Sequence, residues 1–270
     1  MRSSSLTAAS APASPRWGWL LLSFTRREVI NRYAGSFSGL AWTLLHPLAQ
    51  LAIYAFVFNR IFRVSVPPDF APARYITFMA VAWWPWIMFA EGLQQAMGSI
   101  AANAGLIRKV AFPHRLLVFA AILATAIVHG TGFLAVIAVL RLAGEPIRLS
   151  GIPIAFALLV PYLLLATGIG AFLAALQTLL RDVEHVMQVV LQLLFYAAPI
   201  LYPASLVPAS VRPWIELNPL GWFSERMREV LLHGGGFVVG DLWTSLVCFA
   251  VFVAGLAFFE RLSPHFEDFL

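Results

Sequence analysis

No charged side chain interrupts the run from Ile152 to Leu180. About 20 mostly apolar residues suffice for a helix to cross the hydrocarbon of a bilayer, where no water is present to satisfy an open backbone. Reading between charges gives six such runs, 37–59, 75–98, 116–140, 152–180, 186–207 and 242–259. The expected fold class is therefore an all-α membrane protein with six transmembrane helices. Composition agrees: 60% of residues are hydrophobic and 11% charged, against roughly a quarter charged in soluble domains. Pro153 and Pro161 predict a kinked fourth run, and Pro199 and Pro203 stop or bend the fifth.

The basic excess, net +5, needs no nucleic acid to explain it. Arginines at span ends face anionic headgroups and orient the spans. With the N-terminus inside, ten basic residues fall on the cytoplasmic side and eight outside, and ahead of the first span there are five. The first helix usually dominates orientation, so both termini are expected in the cytoplasm. Residues 1–16 read as a disordered Ser/Ala/Pro tail. Residues 17–36 read as an interfacial helix that offers Trp17, Leu21, Phe24 and Val29 to lipid and Arg26, Arg27 and Arg32 to headgroups. The spacing of Gly35 and Gly39 would suit a close helix contact.

Several chemistries are excluded. The only lysine, Lys109, follows Arg108 rather than glycine, so no phosphate-binding loop can form and no nucleotide cofactor is expected on this chain. The six histidines show no metal-ligand spacing, and Cys248 is the only cysteine, so no metal site is expected. There is no nucleophile elbow, and the one carboxylate deep in an apolar run, Glu91, has no evident partner. Catalysis by this chain is not expected, and no catalytic residue is assigned.

Polar residues recur along three spans. Trp84, Met88, Glu91 and Gln95 share an arc of roughly 60° at 100° per residue, as do Gln188, Gln192, Phe195 and Pro199 on span five. Trp42, His46, Gln50 and Tyr54 recur every fourth residue on span one, and Tyr196 adds a ring beside Phe195. Flat aromatic surface for C–H faces and amides or imidazoles for hydroxyls suit a sliding sugar chain. The same polar residues would equally serve as helix-to-helix contacts hidden from lipid.

The ordered set "REVINRYAGSFSGLAWTLLHPL", "LIRKVAFPHRLL", "RDVEHVMQVVLQLLFYAAPILYP", "NPLGWFSERMREVLLHG" and "RLSPHFEDFL" resembles the permease subunit of type-2 ABC exporters, in the polysaccharide and O-antigen branch. The resemblance implies a six-span permease domain over 37–262, a cytoplasmic coupling helix and re-entrant helices between spans five and six. It implies a homodimer in the cytoplasmic (inner) membrane, joined to two separate ATPase subunits that hold ATP and Mg, and a glycan or glycolipid cargo. Under it, segment 102–117 is the coupling segment, with Leu106, Ile107, Arg108, Lys109, Phe112, Pro113 and His114, and Arg181 and Asp182 form a second inner contact. Asn103 would cap the coupling helix, Leu106 and Ile107 would enter a partner groove, and Pro113 would end the helix.

Segment 205–238 would re-enter from outside, with Asn218 and Pro219 opening a helix that the run Gly234–Gly236 ends. Arg226 and Arg228 would meet lipid phosphates or an anionic cargo, or pair with Glu225 and Glu229. Residues 263–270 would be a cytoplasmic tail. A secondary transporter and a membrane glycosyl- or acyltransferase remain alternatives at this stage.

Overall fold

The computed structural model describes residues 17–33, 39–64 and 66–269, and the described residues are helical with no strand among them. The expected tail 1–16, the end of the interfacial segment at 34–36 and the Gly35 spacing lie outside them. In chain order the helices are α1 (Trp17–Tyr33), α2 (Gly39–Ala55), α3 (Tyr75–Ala102), α4 (Ala104–Ile107), α5 (Arg115–Leu142) and α6 (Ile152–Leu179). After them come α7 (Val183–Ala197), α8 (Arg212–Glu216), α9 (Pro219–Arg228), α10 (Val239–Leu262) and α11 (Phe266–Phe269). Among the described residues, four stretches are long and apolar enough to cross a membrane: Tyr75–Ala102, Arg115–Leu142, Leu149–Leu179 and Val239–Phe269. Helix α2 runs on through a wide turn to Ile61, whereas α7 is short and ends where Pro199 follows.

Helix α3 is the axis of the bundle. It packs on α5, α6 and α9, and Phe78, Met79, Ala80 and Val81 have no exposed surface. Its Pro85 is accommodated inside the helix. Around that axis α6 pairs with α10, and α1 lies along α5. Helix α1 thus turns part of the face expected toward lipid onto its own chain. Leu21 is half-buried and Phe24 buried, and Phe24 meets Phe112 edge-on at 5.4 Å. Trp17, Trp19 and Leu22 stay exposed.

The α6–α10 contact depends on glycine. A Cβ on Gly255 would stand 2.0 Å from the backbone oxygen of Gly168, and one on Gly168 would stand 2.5 Å from the Cα of Phe252. Small residues let two backbones approach where lipid provides no hydrophobic drive for association. Gly255→Ala should therefore force the helices apart and destabilise the permease by about 1–3 kcal/mol. The check is the thermal midpoint of the purified protein, with exposed Gly105→Ala as the neutral comparison.

Segment 205–238 is tied into the bundle by charge. Asn218 accepts a hydrogen bond from the Leu220 backbone N–H at 3.1 Å, Pro219 supplies the first turn of α9, and Gly234 closes the helical segment with φ +79°. Phe223 of α9 reaches Tyr162 of α6, ring centroids 4.7 Å apart. Arg226 and Arg228 do not face lipid or open space. Arg226 grips Asp241 with Nε to Oδ1 at 2.8 Å and Nη2 to Oδ2 at 3.0 Å, and it also binds Glu229. Arg228 is fully buried and donates to Glu225 (2.8 Å) and to the carbonyls of Phe78 (3.1 Å) and Ile200 (2.7 Å). Its guanidinium also lies 3.7 Å over the Phe78 ring. A buried charge persists only when so many partners replace water.

Candidate functional site

A cleft opens beside α3. It has a volume of about 720 Å³ and gathers residues of α1, α2, α3, α5 and α7. From α2 come Trp42, His46, Gln50 and Tyr54, the whole stripe read along span one. From α7 come Leu191, Gln192 and Phe195. The aromatic wall is continuous: Tyr54 stacks on Phe195 with centroids 5.8 Å apart, and Trp86 lies 5.8 Å from the same ring. Gln50 donates to the Tyr54 hydroxyl at 3.1 Å.

On α3 the lining face is Trp83, Trp86, Ile87, Ala90, Glu91, Gln94 and Gln95. It is turned by roughly a quarter of the helix from the arc expected on sequence. Glu91 and Gln95 sit where the two arcs overlap. Trp84 and Met88 do not line the cleft but are buried in helix packing. The Trp84 indole donates to the carbonyl of His129 at 2.9 Å, so its polar edge is satisfied by α5 rather than by a cargo. Gln188 lines a neighbouring cavity of about 80 Å³ with Gln94, Met97, Gly98, Gln177 and Glu184. Because Gln94 borders both spaces, polar side chains continue from the cleft toward the start of α7. Tyr196 is exposed next to Phe195, and Pro199 is buried.

Glu91 is not isolated. Its Oε1 accepts from Arg32 Nη1 at 2.9 Å and its Oε2 from His129 Nε2 at 2.7 Å, while Arg32 Nη2 donates to Thr125 at 2.5 Å. The His129 and Arg32 side chains are 1% and 13% exposed, and that of Glu91 is 35% exposed, on the cleft wall. Arg32, expected at headgroups, turns inward because an intramembrane carboxylate must find a cation or water. Neither partner was visible on sequence, since they lie 59 and 38 residues away.

Segment 102–117 is built differently from the expectation. Asn103 makes no capping bond; it accepts from Arg27 and donates to the carbonyl of Ser99 at 2.8 Å, so it fastens α1 to the end of α3. Ile107 and Phe112 are buried in this chain's own core and are therefore anchors rather than partner contacts, with Leu106 half-buried beside them. Pro113 does not end α4, which closes at Ile107; its carbonyl opens α5 by accepting from Leu116 at 3.0 Å. Arg108, Lys109 and Val110 form the exposed face between the anchors.

His114 lies 3.0 Å from the Ser263 hydroxyl and stacks on Phe266, which is fully buried. Residues 263–269 therefore fold back onto the start of α5 rather than trailing as a tail. Burial lowers the pKa of His114, against the opposing pull of the Glu267 and Glu260 carboxylates and the Ser263 contact. Arg181 and Asp182 are exposed at the start of α7. No group of three or more His, Cys, Asp or Glu that could hold a metal exists among the described residues.

Comparison with known proteins fits this geometry. The chain is 29% identical over 261 residues to the O-antigen export system permease protein RfbA of Klebsiella pneumoniae, covering 93% of this chain and 95% of that one. It is also 29% identical over 203 residues to a protein of the same name from Myxococcus xanthus, covering 74% of this chain and 75% of that one. Against the polysialic acid transport protein KpsM of Escherichia coli it is 23% identical over 212 residues, 77% of this chain and 79% of that one. Residues 20–232 match the ABC-2 type transporter family, and the chain belongs to it.

Proposed function

We propose that this chain is the permease of an ATP-driven polysaccharide exporter and that the cleft between α2, α3 and α7 is part of the cargo path. Support comes from the relatives named above, and the observation that carries the path is the wall of aromatic rings and amides around about 720 Å³. Family membership sets aside the secondary-transporter and transferase alternatives: the chain is a multi-pass transport subunit that works with an ATPase partner and is not an enzyme.

In this reading the six crossings are α2, α3, α5, α6, α7 and α10, both termini are cytoplasmic, and segment 205–238 re-enters from the outer side. Two copies pair in the inner membrane with two ATPase subunits, which bind ATP and magnesium. The exposed Arg108–Lys109–Val110 face, with Arg181 and Asp182, meets those subunits. Because Ile107 and Phe112 are buried on either side of it, a push on that face is passed to α3, α5 and α1 instead of bending a loop.

The path is tested by single cysteines in a Cys248→Ser background, Cys248 being buried and the only cysteine. During active export, a small membrane-impermeant thiol reagent should label His46→Cys, Gln50→Cys, Gln95→Cys and Gln192→Cys. Ala96→Cys and Ala120→Cys, at positions with no exposed surface, should stay unlabelled. Protection of the four cleft positions while export proceeds would remove the cleft from the path.

A further inference from the structure

We infer that the cleft selects uncharged, hydroxyl-rich glycans and rejects acidic ones, with the Arg32–Glu91–His129 group as the element that discriminates. The inference rests on the cleft being the cargo path and adds the chemical class of its ligand.

The inference follows from which atoms face the opening. The lining carries five aromatic rings (Trp42, Tyr54, Trp83, Trp86 and Phe195) and four amides (Gln50, Gln94, Gln95 and Gln192). Such a surface takes sugar rings by their C–H faces and their hydroxyls by hydrogen bonds, and needs no charge on the ligand. Among the described lining residues the only arginine is Arg32, and there is no lysine. Arg32 is already committed to Glu91 and Thr125 and lies largely buried behind them.

The charged group that is a third exposed on the wall is instead the Glu91 carboxylate. Its two oxygens each hold one protein donor, and their remaining lone pairs can accept from sugar hydroxyls. A carboxylate or phosphate on the cargo would shed water in this space without gaining a free cation, because the Arg32 charge is already paired with Glu91, and a desolvated charge left uncompensated is strongly unfavourable. Elsewhere in the bundle the two interior arginines that might have offset this, Arg226 and Arg228, are consumed by Asp241, Glu229 and Glu225.

The experiment uses the full-length permease, purified in nanodiscs with its ATPase partner, and saturation-transfer NMR against two probes. One is uncharged maltoheptaose and the other a sialic acid oligomer of similar length. Maltoheptaose should bind at least about tenfold more tightly, and Trp42→Ala should weaken that binding. Gln95→Lys places a cation on the exposed cleft wall without touching the ion group, and should cut the preference below about threefold. Glu91→Gln should do the same by leaving the Arg32 charge unpaired and available to an acidic sugar. Equal or tighter binding of the sialic acid oligomer to the unaltered protein would overturn the charge selection and leave the cleft as a glycan site. Binding of neither probe, or binding insensitive to both Trp42→Ala and Gln95→Lys, would overturn the cleft as a glycan site as well.

Discussion

Arg228→Ala should leave a permease that inserts but does not hold its native packing, with a loss of about 3–5 kcal/mol. The magnitude follows from what the substitution strands. Arg228 has no exposed surface, and its donors satisfy Glu225 and the carbonyls of Phe78 and Ile200, three sites on separate parts of the chain. Removing the guanidinium takes this donor from the Glu225 carboxylate and from the two carbonyls, and takes the cation from the Phe78 ring. Arg228→Lys should recover only part of the loss, because one ammonium cannot span the planar fork that reaches all three. Glu225→Gln, which keeps an acceptor for Arg228, should cost much less. The measurement is the thermal midpoint in detergent together with the folded yield. An Arg228→Ala protein as stable as the unaltered one would mean that α9 is held by its apolar face alone, through Leu220, Phe223 and Met227.

The double reversal Arg108→Glu with Lys109→Glu should lower export at least about tenfold while folding and cleft labelling are unchanged. Both side chains are exposed, and the anchoring is done by Ile107 and Phe112, so stability should move by less than about 0.5 kcal/mol. Reversed charge would place like against like at an ATPase surface matched to a basic one, which typically costs several kcal/mol of association. Export, ATP hydrolysis and co-purification of the partner are measured side by side. Lost export with retained hydrolysis and retained partner identifies failed transmission of force, and loss of the partner identifies failed docking. Export at the normal rate would reduce the segment to a basic loop that sets topology.

Much of the architecture was legible in the chain before any folding. A run such as Ile152–Leu180 has to be a helix in hydrocarbon, because an unpaired backbone is too costly there, and each helix satisfies itself from its own sequence. The cap at Asn218 and the stop at Gly234 were readable for the same reason, as both are local. The stripe of Trp42, His46, Gln50 and Tyr54 was also found, because residues recurring every fourth position share one side of a helix, and that side of α2 borders the cleft. The absence of a phosphate loop is likewise a property of order along the chain.

What order along the chain could not supply was rotation and pairing. Consecutive tryptophans at 83 and 84 fit either face of α3 equally, and the choice was made by the His129 carbonyl, which offered the Trp84 indole an acceptor. Arg32 and Arg226 have the composition of headgroup ligands, yet each turned toward a carboxylate brought near by packing, Glu91 and Asp241, whereas Arg228 meets Glu225 three residues back on its own helix. Periodicity reports that a helix has a polar side, and only the neighbouring helices determine whether that side meets lipid, another charge or open space. Burial makes an unpaired charge so expensive that the available partner decides the outcome.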